Sequence, residues 1–216
     1  MLEILCLHGY HGSADTLRHQ AAPLFDELGS IAEFVFVDAP SLAAGDYGWW
    51  HAVDAERDSA DDPGVDGTHR HYKGWTRTRD AIVAVFASRG PFDGIFGFSQ
   101  GAALAGLLVG LHAPGQPTVE RPLCFDFAVM VGGFSANDPE LAQLYMRADS
   151  YNLPSLHIFG RADRIVSMAD SRVLAARFAR PDLVEHAGGH VIPSDRSVRD
   201  RVRAFLDESA AISRAF

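Results

Sequence analysis

Three side chains far apart in the chain could together perform nucleophilic acyl transfer. Ser99 lies in IFGFSQGAA, Ile95 to Ala103, between Gly97 and Gly101, with an apolar run before it and small residues after it. A serine hydroxyl becomes a useful nucleophile only when a base takes its proton, an acid orients that base and amides receive the developing oxyanion. The five-residue Gly-x-Ser-x-Gly pattern is weak alone, because a serine before a helix is also an ordinary cap. A strand before it and a helix after it make it the strand–turn–helix context of a nucleophile elbow.

The base must come from ten histidines. His190 is the strongest candidate, because EHAGGHVIP places it directly after the last strand-like run with two glycines turning the backbone. His186 is the nearest rival but falls in strand periodicity. His8 ends the first strand and is followed by Gly9, so it fits the oxyanion turn better. His69 and His71 fall in a variable loop and rank low. Asp163 is the candidate acid, on the loop after the Leu156–Phe159 run, with Asp170 as a weaker rival inside a helix pattern. The order Ser99, Asp163, His190 is that of α/β-hydrolases, and not that of trypsin-like or subtilisin-like enzymes. The amides of Gln100, next after the nucleophile, and of Tyr10, in His8-Gly9-Tyr10-His11-Gly12, are the candidate oxyanion donors. Four features thus agree in type, order and position.

The elements that must position these residues alternate. Strand-like runs at Leu2–His8, Phe34–Val37, Phe92–Phe98, Phe125–Val131, Leu156–Phe159 and Leu183–His186 are separated by helical patterns. Those patterns begin at Ser13 and cover Thr76–Ala87, Gln100–Leu111 and Met168–Phe178, with a last amphipathic helix marked by Val198, Val202, Phe205 and Leu206. This alternation predicts an α/β fold: a mostly parallel sheet, helices on both faces, and a site beyond the carboxyl ends of the strands. The expected organisation is a single domain over residues 1–216 with a long loop or cap at about 39–74. Between Asp38 and Trp75 no periodic element is evident. Its first half, DAPSLAAGDYGWWHAV, carries Tyr47, Trp49 and Trp50, and its second half is acidic. With Tyr72, these aromatics are the candidate wall for an acyl chain.

Composition narrows the partners. With 19 basic and 28 acidic residues the formal net charge is -9, which lacks the basic footprint nucleic acid requires. Lys73 is the only lysine. Two cysteines, Cys6 and Cys124, are too few for a disulfide framework and read as buried free thiols in a reducing compartment. The N-terminal apolar run is too short to span a membrane and lacks the marks of a signal peptide. A cytoplasmic protein without a membrane partner is therefore expected.

The segments ILCLHGY, GWW, PFDGIFGFSQGAAL, HIFGRADRIV and HAGGHVIP, which span Leu2 to Pro193, resemble the FSH group of serine hydrolases in the α/β-hydrolase superfamily. That group includes ovarian-tumour-suppressor-candidate esterases and lovastatin-type thioesterases. The resemblance implies Ser99, Asp163 and His190 as the triad and Tyr10 and Gln100 as oxyanion donors. It also implies a compact core of six main parallel strands in the order 2-1-3-4-5-6. It departs from the group mainly between Ala52 and Tyr72, where substrate identity would be set. Three readings follow: a carboxylesterase for small-molecule acyl esters, a thioesterase acting on coenzyme A or an acyl carrier protein, or a ligand-binding protein on a hydrolase scaffold. None requires a metal or organic cofactor. A carrier partner would need clustered arginines. Arg161 and Arg164 flank Asp163, and surface salt bridges are the simpler role for them.

Overall fold

A computed structural model describes residues 1–41, 48–54, 70–112, 123–146 and 150–213. The predicted alternation is present. Strands β1 (Leu2–Leu7), β2 (Ala32–Val37), β5 (Gly94–Phe98), β6 (Phe127–Val131), β7 (Ser155–Gly160) and β8 (Pro181–His186) form one sheet in the order β2-β1-β5-β6-β7-β8. Every pairing in it is parallel. Counted among themselves, these six strands have the order 2-1-3-4-5-6.

Period-two alternation divides the strand residues between two faces. Ile4, Cys6, Phe96, Phe98, Val129 and Val131 pack with α1 (Ala14–Leu28) and α6 (Arg196–Ser213), through Leu17, Leu24, Val202 and Phe205 among others. Leu5, Leu7, Ile95, Ala128 and Met130 pack on the other face with α2 (Trp75–Arg89) and α3 (Gln100–His112), and with Leu174 of α5 (Met168–Ala175). The uncharged α3 is buried along most of its length, as its composition requires. Ser13 starts α1 by accepting the Thr16 amide on its side chain at 3.1 Å, the expected N-cap bond.

The structure corrects two expectations. The stretch from Asp38 to Trp75 does contain regular structure: β3 (His51–Asp54) and β4 (Arg70–Lys73) pair as an antiparallel ribbon outside the main sheet. Each strand is only four residues long, too short to produce a periodic signal. Tertiary bonds hold the ribbon instead, as described below. Cys124 is exposed rather than buried, while Cys6 is buried, and both thiols are free. A short helix α4 (Pro139–Ala142) and a 3-10 turn (Gln143–Met146) follow β6, the helix started by the Asp138 cap and Pro139 at its first position. Among the described residues no helix is long and apolar enough to cross a membrane.

Burial also sets an acid limit on the fold. His157 on β7 is buried, and burial lowers its pKa to about 3. Burial likewise lowers that of His8. An unfolded histidine titrates near 6.5, so below that pH the unfolded chain binds protons that the folded chain excludes. Stability is therefore complete above about pH 6.5. As pH falls from there towards 3, His157 alone removes about 1.4 kcal/mol per pH unit. Urea unfolding at pH 7.5 and 5.0 will show a lower midpoint at pH 5.0, and His157→Leu will reduce that difference.

Candidate active site

The turn at Ser99 is formed by close packing. Ser99 has φ +55°, a left-handed conformation that non-glycine residues seldom adopt. Its amide bonds the Val131 carbonyl at 2.8 Å, and its own carbonyl accepts from Ala102 and Ala103. A Cβ at Gly97 would sit 2.4 Å from the Gly101 carbonyl oxygen, and one at Gly101 would sit 2.1 Å from that of Leu7. Neither position has room for a side chain. The strand and helix can therefore close tightly enough to hold the serine in this strained turn.

The other two residues arrive on neighbouring loops. Asp163 follows β7 and His190 follows β8. The loops are joined by bonds from the Arg161 amide to the His186 carbonyl (2.8 Å) and from the Ala162 amide to the Gly188 carbonyl (3.1 Å). His190 Nε2 lies 2.8 Å from Ser99 Oγ, and His190 Nδ1 lies 2.6 Å from Asp163 Oδ2. The second carboxylate oxygen, Oδ1, accepts the amides of Ile165 (2.8 Å) and Val166 (2.9 Å). Burial by itself would raise the Asp163 pKa. The Val166 amide, the His190 ring and the Ile165 amide outweigh it and hold the carboxyl below its usual range. An ionised Asp163 can only accept, so the Nδ1 proton belongs to His190. In the neutral ring Nε2 then carries the lone pair and accepts from the serine hydroxyl.

The turn after β1 faces the same place. It is closed by the Gly12 amide on the Gly9 carbonyl at 3.0 Å, with Tyr10 at its apex. A Cβ at Gly9 would come within 3.2 Å of Ser99 Cβ, so this backbone runs against Ser99. His8 is locked beneath it. Its Nε2 accepts the Ala39 amide at 3.0 Å, so its Nδ1–H donates to the Gly9 carbonyl at 2.8 Å. Gln100 is the first residue of α3, and its amide has no carbonyl one turn earlier to bond.

Ser99, Gln100 and Tyr10 open into a cavity of about 1000 Å³. Trp50 and Tyr72 line it, stacked with centroids 4.9 Å apart. Trp49 does not, which corrects its placement in the pocket wall. It is 1% exposed, its indole N–H donates to the His8 carbonyl at 2.7 Å, and its carbonyl accepts from Thr78 Oγ1. Trp49 is a core anchor that satisfies its indole in the interior. Tyr47 lies outside the described residues.

Alanine at the two tryptophans will therefore act differently. Trp49→Ala will cost about 3–5 kcal/mol of stability, measured by urea unfolding. Trp50 is also buried, at 2% exposed, so Trp50→Ala will likewise cost about 3–5 kcal/mol, but because Trp50 lines the cavity it alone will also change preference for acyl chain length.

The rivals have other roles. His186 Nδ1 accepts from the Gly188 amide, and Asp170 forms a capping box with Ser167. His71 lies 3.4 Å from Asp138, and His69 is outside the described residues. Arg161 and Arg164 form no ion pair with any described residue, contrary to the surface salt bridges expected for them. The sequence reading missed Phe134–Asn137 and the apolar Ile165, Val166 and Val173, which also line the cavity. Phe134–Asn137 follow the carboxyl end of β6, and that position was the available signal. Among the described residues no group of histidine, cysteine and carboxylate side chains could hold a metal ion.

Residues 1–202 match the family model described as "Serine hydrolase (FSH1)". The chain belongs to this serine hydrolase family. It is 32% identical over 224 residues to "Esterase OVCA2" of Xenopus tropicalis, covering 96% of this chain and 93% of the relative. Among solved structures it is similar to esterase PE8, at 26% identity and a TM-score of 0.61, covering 96% of this chain and 92% of that one. It shares its fold with Zea mays acyl-protein thioesterase 2, at 19% identity and a TM-score of 0.60, over 95% and 94% of the two chains. Membership and the esterase relatives support hydrolase activity, and the solved structures show an α/β-hydrolase fold.

Proposed function

We propose that this member of the family cleaves carboxylic esters through an acyl-enzyme on Ser99. The observation that carries the reading is the continuous hydrogen-bond chain from Ser99 Oγ through His190 to Asp163 at the floor of a large cavity. In the proposed sequence, His190 Nε2 takes the hydroxyl proton as Ser99 Oγ bonds to the substrate carbonyl carbon. The carbonyl π pair moves onto oxygen, where the Tyr10 and Gln100 amides receive it. Asp163 keeps the Nδ1 proton in place and stabilises the imidazolium. Collapse of the adduct breaks the bond to the leaving alkoxide, which takes the proton from His190. Water repeats both halves of the sequence and releases the acid.

Thioester cleavage is the second reading. The observation that favours it is the pair of arginines beside Asp163 with no ion-pair partner among the described residues, which would suit an anionic carrier. Paired oxygen esters and thioesters of equal acyl length separate the two. The esterase reading expects the higher kcat/KM on the oxygen ester once intrinsic reactivity is divided out. A preference for carrier-bound thioesters that is lost in Arg161→Ala/Arg164→Ala would replace it.

A further inference from the structure

Gln100 is buried, and both polar ends of its side chain are bonded to backbone. Its Oε1 accepts the backbone amide of Trp49 at 2.8 Å, and its Nε2 donates to the backbone carbonyl of Trp50 at 2.8 Å. The primary amide thus bonds the backbone of both residues of one dipeptide. The residue next to the nucleophile is thereby fastened to the cap segment fifty positions earlier in the chain. The segment is also held through the Trp49 indole on the His8 carbonyl and through Thr78 on the Trp49 carbonyl. On the far side the ribbon is fixed by the Tyr72 amide on Asp138 Oδ2 at 2.7 Å and by the Tyr72 hydroxyl on Asn137 at 2.9 Å. Trp50 and Tyr72, the stacked pair that lines the cavity, lie between these two sets of fastenings.

We propose that Gln100 acts through its side chain as a positioning residue that sets the acyl-pocket wall relative to Ser99, and so determines selectivity among acyl chains. This is separate from the role given to its backbone amide, and it rests on the reading of Ser99 as the nucleophile. Loss of an oxyanion donor slows every substrate alike. Loss of the clamp displaces Trp50, so it affects substrates that reach the wall more than acetyl esters that do not. Only a group with an acceptor and a donor side by side can make both bonds. Glutamate meets that condition when protonated. When ionised it keeps the bond to the Trp49 amide but turns a second acceptor towards the Trp50 carbonyl.

The test compares wild type, Gln100→Met and Gln100→Glu. One readout is the ratio of kcat/KM for octanoyl over acetyl p-nitrophenyl esters at pH 8.0 and 5.5. The other is hydrogen exchange at the Trp49 amide. Dividing one ester by the other removes the common effect of histidine protonation. Gln100→Met is expected to change the ratio about tenfold or more at both pH values, and to speed exchange at Trp49. Gln100→Glu is expected to match it at pH 8.0 and return towards the wild-type ratio at pH 5.5. Equal losses on both esters, or unchanged exchange at Trp49, would overturn the clamp. A wild type that hydrolyses neither ester while its Trp49 exchange still responds to Gln100→Met would overturn the catalytic reading and leave the clamp standing.

Discussion

Ser99→Ala will lower kcat on any cleaved ester by about 10⁴-fold or more while leaving the fold intact. The size follows from what remains. Without Oγ there is no covalent intermediate, and His190 has no hydroxyl to deprotonate. The proposed oxyanion amides and the cavity persist, so the residual rate will exceed that of water alone. Stability will change little, because removing Oγ deletes one partly buried bond to His190 and creates no cavity of consequence. Alanine also tolerates the left-handed turn about as badly as serine does, so the strain is unchanged. Unfolding midpoints of the two proteins, measured beside their rates, separate loss of chemistry from loss of structure.

Asp163→Asn carries the second large effect, about 10⁴-fold in kcat at neutral pH by analogy with other triads. The mechanism of loss is the tautomer. Oδ1 of Asp163 is held by the Ile165 and Val166 amides, so the asparagine oxygen will occupy that place and its NH₂ will face His190 Nδ1. A donor there makes Nδ1 the acceptor and moves the ring proton to Nε2. His190 then cannot accept from Ser99. The same substitution tests a pH effect of known sign. The folded-state pKa of Asp163 is lowered, so its contribution to stability is present above the unfolded value near 3.9 and is lost as pH falls through the folded value. Asp163→Asn will therefore remove stability at neutral pH and lessen the acid sensitivity of the fold below about pH 4, as read by urea unfolding at a series of acid pH values.

The parts of this molecule that were legible in its sequence are those in which local pattern and tertiary role coincide. The central strands β1, β5, β6 and β7 are buried, short apolar runs, and α1 has its cap and apolar stripe in plain view. Ser99 could be recognised because an elbow needs glycines at two fixed offsets, and those glycines are required by contacts with Leu7 and with the start of α3. Asp163 and His190 were legible by chain order. The ribbon was not. Four residues on each side are too few to show a period, and what holds Arg70–Lys73 in place is Asp138, sixty-six positions from Tyr72. Trp49 and Trp50 are adjacent, identical in type and both buried, and only the fold decides that Trp50 alone also lines the cavity. The two bonds of the Gln100 side chain were equally hidden, since Trp49 and Trp50 lie about fifty positions away.

The most direct test of the central claim is intact-mass spectrometry after treatment with a fluorophosphonate, with Ser99→Ala as the control. An activated Ser99 predicts a single adduct on the wild type and none on the variant. A folded wild type that takes no adduct, or a variant that takes as much as the wild type, would contradict the assignment of Ser99 as the nucleophile.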